Sequence, residues 1–188
     1  MESFRDKVAS AETLIEKIDL GLAANQMNKS QVQNKIEEFI VGDATYIRAF
    51  LAALSTSKME LNKTFLEAFK NLVENNEEER AFHVLLIKNI IMSSNMARKH
   101  EGNNDAKMAE GSRSVTSRCH LLLFYLQGEG QLPDIIKVNQ AIDLFDQKDP
   151  SIPEQDAPQI RFWHKFFEEW KYSKEDLKLA QKHLLQER

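Results

Sequence analysis

Apolar residues recur every three or four positions along most of the chain, which is the spacing of one face of an α-helix. The first segment shows this spacing most regularly, in six apolar residues that follow one another at such intervals: Phe4, Val8, Ala11, Ile15, Ile18 and Leu22. No segment alternates apolar and polar residues as a half-buried strand does, and no repeat of fixed period is present. The pattern therefore predicts an all-α protein, built as a single helical bundle of about seven to nine helices with a C-terminal helical appendage.

Residues that cap helices mark where the predicted helices begin and end. Three pairs have the spacing of a capping box, in which each side chain accepts a hydrogen bond from the backbone N–H of the other residue: Ser30 with Gln33, Ser57 with Glu60, and Ser173 with Asp176. Asp43 and Asn76 are predicted to cap the third and fifth helices, while Gly42 and Gly102 are predicted to end the second and fifth. Together these residues predict most of the helix boundaries.

The fifth predicted helix is apolar on nearly every side between Ala81 and Met92, which is expected of a helix at the centre of a bundle. Residues 101–112 are predicted to form a loop, with at most a partial turn, because glycine and asparagine are frequent there. A sixth helix is then predicted over residues 113–127, with Ser112 or Ser114 at its N-terminus and an apolar block toward its end.

A proline-rich segment near the C-terminus divides the chain. Residues 146–158 contain three of the four prolines, and proline restricts the backbone and removes a hydrogen-bond donor. This composition predicts a helical bundle over residues 1–147 and a linker over residues 148–158. An aromatic-rich helical segment over residues 159–188 is expected to pack on the bundle or on a partner.

The composition excludes several classes of protein. Hydrophobic residues make up 42% of the chain and charged residues 29%, so the chain can bury a core and is not expected to be disordered. The net charge of −4 argues against a dedicated binder of double-stranded nucleic acid. Cys119 is the only cysteine, so no intrachain disulfide or multi-cysteine zinc site can form. No signal peptide or membrane span is predicted, and we expect a cytoplasmic protein.

A local excess of positive charge between residues 98 and 118 is the best candidate for an anion-binding site. Its cationic and hydroxyl side chains stand close in sequence: Arg98, Lys99, Arg113, Ser114, Thr116 and Arg118. At the start of a helix, free backbone N–H groups would add to these side chains. The same hydroxyl and arginine side chains also suit a phosphorylation switch. A simpler interpretation is a capped helix that enters the core, and it is favoured because no glycine-rich phosphate loop is present.

Catalytic, metal and cofactor sites are not predicted. Cys119 and His120 are adjacent on a helix and point about 100° apart, so they do not form a nucleophile–base pair, and Cys119 is expected to be a buried structural residue. Glu79 and His83 form one isolated pair, without the repeated Glu-x-x-His motifs of a di-iron bundle.

Six of the 16 aromatic residues lie between residues 162 and 172, on more than one side of the predicted helix. Aromatic side chains are enriched at the centres of protein interfaces. The candidate partner interface consists of five of these residues: Phe162, Trp163, Phe166, Phe167 and Trp170. We expect most of them to be packed in the core and at least one of Trp163, Phe167 and Trp170 to be exposed in the isolated monomer.

The leading hypothesis is a non-enzymatic protein–protein interaction module: an adaptor, a regulator or a subunit of an assembly. Its partner is another protein or a second copy of the same chain. The first alternative is a small helical subunit that contacts nucleic acid through residues 98–118, which is not favoured by the net charge. The second is a ligand-binding or enzymatic bundle with a polar cavity around His83, Lys88, Arg113 and His120.

Overall fold

The computed structural model describes residues 2–41, 44–76, 78–127, 133–145, 147 and 152–185. These residues contain nine α-helices and no strand. In chain order the helices are α1 (Phe4–Ala23), α2 (Lys29–Ile40), α3 (Ala44–Thr56), α4 (Lys63–Glu74), α5 (Glu79–Gly102), α6 (Ala106–Gln127), α7 (Pro133–Leu144), α8 (Ala157–Glu169) and α9 (Lys174–Leu184). The predicted all-α class and the predicted number of helices are confirmed.

The chain divides into two compact units. The first unit comprises Met1–Leu86 and Leu121–Leu126, and the second comprises Ile87–His120 and Gln127–Arg188. Helices α5 and α6 therefore contribute residues to both units. The domain boundaries predicted from the sequence remain a prediction, because residues 148–151 of the predicted linker lie outside the described residues.

The first unit has an aromatic core. Helix α1 packs against α3, and α2 packs against α4. Phe69 of α4 lies at the centre of the core, with ring centroids 6.5 Å from Phe50, 6.1 Å from Phe65 and 5.9 Å from Phe82. All four rings are fully buried, and packed aromatic pairs of this kind add to the stability gained from their buried area.

The second unit is organised around α8, whose apolar face is covered by neighbouring helices. Helix α7 packs against both α8 and α9. Trp163 and Phe167 of α8 are completely buried, and the Phe167 ring lies 5.5 Å from the Phe145 ring. The His164 Nε2 atom lies 2.9 Å from the Ala141 carbonyl oxygen and links α8 to α7 by a hydrogen bond.

Two of the three predicted capping boxes are wrong by a few residues. The side chain of Asn28, not Ser30, caps α2, in a capping box with Gln31. This earlier start adds a helical hydrogen bond, since the Val32 N–H reaches the Asn28 carbonyl at 3.1 Å. Ser57 ends α3 by donating its backbone N–H to Ala53, and Asn62 caps α4 instead.

The other predicted caps are either confirmed or lie outside the described residues. Ser173 and Asp176 form the predicted capping box at the start of α9. Asn76 accepts a hydrogen bond of 2.8 Å from the Glu78 N–H just before α5, as its predicted role requires. Gly42 and Asp43, predicted to end α2 and to cap α3, lie outside the described residues.

The predicted loop over residues 101–112 is wrong, because α6 begins at Ala106. The side chain of Asp105 caps this helix by accepting a hydrogen bond from the Met108 N–H at 3.1 Å. Gly111 lies inside the helix, where nothing lies within 4 Å of the position that a Cβ would take. A glycine inside a helix costs about 1 kcal/mol relative to alanine, and α6 continues through Gly111 in spite of this cost.

Three helices end at a non-glycine residue in the left-handed conformation. Asn25, Asn104 and Lys171 have φ values of 53°, 58° and 54°. After each helix two backbone hydrogen bonds close the turn in the pattern of a Schellman motif, such as Asn104 to Glu101 and Asp105 to His100. Gly102 was predicted to end α5 and is its last helical residue, but Asn104 makes the left-handed turn.

Candidate functional site

The predicted anion site does not lie at a helix N-terminus. Residues 112–118 are in the middle of α6, so their backbone N–H groups belong to a continuous helix and are not free to bind an anion. Thr116 is buried and its hydroxyl donates to the Ser112 carbonyl at 3.1 Å, whereas Ser114 is exposed. The helix-start argument for anion binding is therefore wrong, because Asp105 places the true start of α6 farther upstream.

Two of the three arginines of the predicted anion site, Arg98 and Arg113, are paired with carboxylates. Arg113 forms ion pairs with Glu101 and, at 3.1 Å, with Glu110. Arg98 lies 3.6 Å from a Glu175 carboxylate oxygen and 3.4 Å from an Asp176 carboxylate oxygen. An anion would have to compete with these four carboxylates, so anion binding by these residues remains only a prediction.

Arg113 and His120 line one groove of the second unit, with a volume of about 440 Å³. We call it the His–Arg groove, and its lining residues come from α5, α6 and α9: Ser94, Ala97, Arg98, Glu101, Arg113, Thr116, Ser117, His120, Leu179 and His183. Two other members of the predicted polar cavity lie elsewhere. The Lys88 ammonium lies 4.7 Å and 4.8 Å from the centroids of the Phe162 and Phe166 rings, and His83 is buried in the first unit.

The five residues of the predicted partner interface separate into a buried set and an exposed set. Trp163, Phe166 and Phe167 are in the core of the second unit, where Trp163 and Phe167 are completely buried. Phe162 is 41% exposed and Trp170 is 52% exposed. In this conformation a partner can therefore reach Phe162 and Trp170 but not the three buried rings.

Trp170 lines a second groove, with a volume of about 500 Å³, which we call the Trp170 groove. Its walls combine aromatic, methionine and charged side chains: Met92, Asn95, Met96, Arg98, Lys99, Trp170, Lys171, Tyr172 and Asp176. The Trp170 and Tyr172 rings are stacked, with centroids 6.5 Å apart and an interplanar angle of 11°. Met96, on the opposing helix α5, is 41% exposed. The groove therefore exposes an apolar surface to solvent. The basic side chains of Arg98, Lys99 and Lys171 lie at its rim.

The turn between α8 and α9 fixes the aromatic wall of the Trp170 groove. The Lys171 N–H donates to the Glu168 carbonyl and the Tyr172 N–H to the Phe167 carbonyl, each at 3.0 Å. Ser173 then begins the capping box of α9. The Phe166 ring supports the wall from the core, 6.2 Å from Trp170 and 5.9 Å from Tyr172.

Two polar groups of the Trp170 groove have unusual surroundings. Burial raises the pKa of Tyr172 to about 12, and the negative charge of Asp176 acts in the same direction. The tyrosine therefore stays neutral at physiological pH and keeps its O–H donor. The Asn95 amide donates to the Ile91 carbonyl at 2.9 Å, while its Oδ1 atom is buried and has no hydrogen-bond partner in the part of the chain that the structure describes.

Cys119 has neither the exposure nor the lowered pKa that is typical of a nucleophilic cysteine. It is buried, as predicted, and burial raises its pKa to about 12, against the smaller opposing effects of a hydrogen bond from Asn89 and the charge of Arg118. The thiol is therefore almost entirely protonated near pH 7. Among the described residues, no group of three or more His, Cys, Asp or Glu side chains could hold a metal ion.

The sequence reasoning missed the methionine side of the Trp170 groove. Met92 and Met96 are four residues apart and so share a face of α5, but they belong to a segment that is apolar on most sides. A sequence pattern does not distinguish a methionine that fills the core from one that lines an open groove.

Comparison with known proteins identifies a family and no closer relative. A search of curated proteins and a search of solved structures each found no match. Within the described residues, no helix has the length and apolar character needed to cross a membrane. One family model matches residues 3–187, which is nearly all of the 188-residue chain. The chain therefore belongs to the family described as Uncharacterised conserved protein UCP020893.

Proposed function

We propose that this protein is a non-enzymatic protein–protein interaction module, an adaptor, regulator or assembly subunit of the cytoplasm, and that it binds its partner in the Trp170 groove. The observation that carries the proposal is that Trp170 is 52% exposed in a groove whose walls combine aromatic, methionine and charged side chains. Tryptophan, tyrosine and arginine are enriched among the few interface residues that carry most of the binding energy. Trp170, Tyr172 and Arg98 all line this groove.

The proposal is supported by the way in which the groove is built. Two Schellman hydrogen bonds and a capping box fix the backbone around Trp170. A preformed aromatic wall loses little conformational freedom when a partner binds, which favours affinity. Met92 and Met96, on the facing side, are flexible and polarisable, so they can adapt to the surface of a partner.

The two alternative functions have weaker support. Contact with nucleic acid through Arg98 and Arg113 would compete with the carboxylate partners that both arginines already have. A small-ligand site in the His–Arg groove would have to use Arg113, which is already paired with Glu101 and Glu110. An enzyme that used Cys119 as its nucleophile is not favoured either, because burial raises the pKa of that thiol to about 12 and Cys119 does not line the groove. We therefore place the partner in the Trp170 groove.

Site-specific photo-crosslinking tests the proposal. A photoreactive phenylalanine analogue replaces Met96 in the full chain, which is expressed in its source organism, and the matched control carries the analogue at Lys165 on exposed α8 surface. We expect a discrete crosslinked protein from position 96, none from position 165, and loss of the crosslink when Trp170→Ala is added. Equal crosslinking from both positions, or crosslinks that persist with Trp170→Ala, would contradict the proposal.

A further inference from the structure

Lys171 holds a conformation that lysine does not favour. Its φ of 54° lies in the left-handed region, where glycine is accommodated without steric cost and a side chain is not. It occupies the C′ position of the Schellman motif that ends α8, which is the position where glycine is most often found. Backbone strain at a residue that lines a groove is a reason to look for a use of its side chain.

The charge of the Trp170 groove differs in sign from that of the whole chain. Among the described residues that line it, three are cationic and one is a carboxylate: Arg98, Lys99, Lys171 and Asp176. Arg98 already lies near both Glu175 and Asp176, so the positive charge of the rim comes from Lys99 and Lys171, which are exposed. The chain as a whole has a net charge of −4. A local positive rim on an acidic protein is complementary to an acidic segment and repels a basic one.

The walls of the groove set a second requirement. Met92, Met96, Trp170 and Tyr172 form apolar surface next to the cationic rim. An occupant that contacts both must carry apolar side chains beside its acidic ones. An amphipathic helix or a short extended segment with this composition can meet both requirements.

We propose that the occupant of the Trp170 groove is an acidic protein segment with apolar anchor side chains, and that Lys171 is the residue that selects it. This inference rests on the proposed function, because it names the chemistry of the partner. Lysine at position 171 places an ammonium beside the apolar wall immediately after Trp170. Lysine occupies this strained position, rather than glycine, because glycine would remove that charge.

The inference predicts effects of opposite sign on stability and on binding. Lys171→Gly removes the strain and should raise the melting temperature by about 2–4 °C, the shift typical of a modest gain in a chain of this size, while lowering the crosslinking yield from position 96 several-fold. Lys171→Glu should lower that yield about tenfold or more, and Lys171→Arg should retain it. Asn104→Gly is the matched control, because Asn104 has the same left-handed role at the end of α5 and does not line the groove.

The experiment combines thermal melts, crosslinking yield at several salt concentrations and mass spectrometry of the crosslinked segment. The expected result is an acidic segment, a yield that falls with salt, and a loss of yield with Lys171→Gly that Asn104→Gly does not reproduce. A basic or neutral segment, or a yield insensitive to Lys171→Glu, would overturn the inference and leave the proposed function standing. A Lys171→Gly variant that is not stabilised would overturn the argument from strain. No protein crosslink from position 96 would overturn the proposed function itself.

Discussion

The two tryptophans should differ in how much each stabilises the fold. Trp163 is completely buried against other rings, including Phe167, while Trp170 is 52% exposed and has the Phe166 and Tyr172 rings as neighbours. Replacing each by alanine removes the same atoms from two different environments. The comparison therefore measures whether Trp170 belongs to the core or to a surface available to a partner.

The expected free-energy differences follow from the buried area. A tryptophan side chain buries about 150–250 Å² when fully covered, and each Å² is worth about 25 cal/mol. Complete burial then corresponds to roughly 4–6 kcal/mol, an upper bound since unfolded chains already cover part of this area. We expect Trp163→Ala to cost about 3–5 kcal/mol. Trp170 is half exposed, so Trp170→Ala should cost about half as much, roughly 1.5–2.5 kcal/mol.

Urea unfolding followed by circular dichroism provides the assay, with equal m-values as the condition for comparing the variants. Lys165→Ala, at an exposed position of the same helix, is the control and should change the free energy of unfolding by less than about 0.5 kcal/mol. A Trp170→Ala variant that loses as much stability as Trp163→Ala would show that Trp170 acts as a core residue and would contradict its assignment to an accessible surface.

Three further predictions concern other residues. The Cys119 thiol, whose pKa is raised to about 12, should not react with a thiol reagent at pH 8 in the native protein and should react once urea unfolds it. The hydrogen bond from Lys178 is the largest cause that lowers the pKa of Asp143, so the ionised carboxylate stabilises the fold above its unfolded pKa near 3.8. Asp143→Asn should therefore lower the melting temperature at pH 7, and the difference from the parent should vanish as the pH falls through the lowered pKa. Lys171→Gly and Asn104→Gly should each raise the free energy of unfolding, by about 1 kcal/mol or less.

Local sequence signals account for the fold and for part of its boundaries. Apolar periodicity and capping pairs such as Ser173 with Asp176 act over three or four residues, and they predicted the all-α class and the start of α9. The start of α6 was missed because Gly111 and Ser112 resemble a helix break. Asp105 and the left-handed Asn104 decide that boundary instead, in a segment where several residues could serve as caps.

The candidate site could not be predicted in full, because it is formed by contacts between residues that are far apart in the sequence. Arg98 pairs with Glu175 and Asp176, which are far along the chain. The positive charge that Arg98 adds to residues 98–118 is therefore largely neutralised. The aromatic segment was identified from the sequence as a candidate interface. Which of its rings face the core depends on where α8 ends, and α8 ends at Glu169, one residue before Trp170.

The most direct test of binding in the Trp170 groove is the accessibility of Trp170 with and without the acidic segment that crosslinking identifies. Trp163 and Trp170 are the only tryptophans, and Trp163 is already completely buried, so changes in acrylamide quenching report on Trp170. A synthetic peptide of that segment is titrated into the full chain. If the peptide covers Trp170, quenching falls at saturating peptide to the level of a Trp170→Phe variant. Unchanged quenching while the peptide is demonstrably bound would contradict binding in the Trp170 groove.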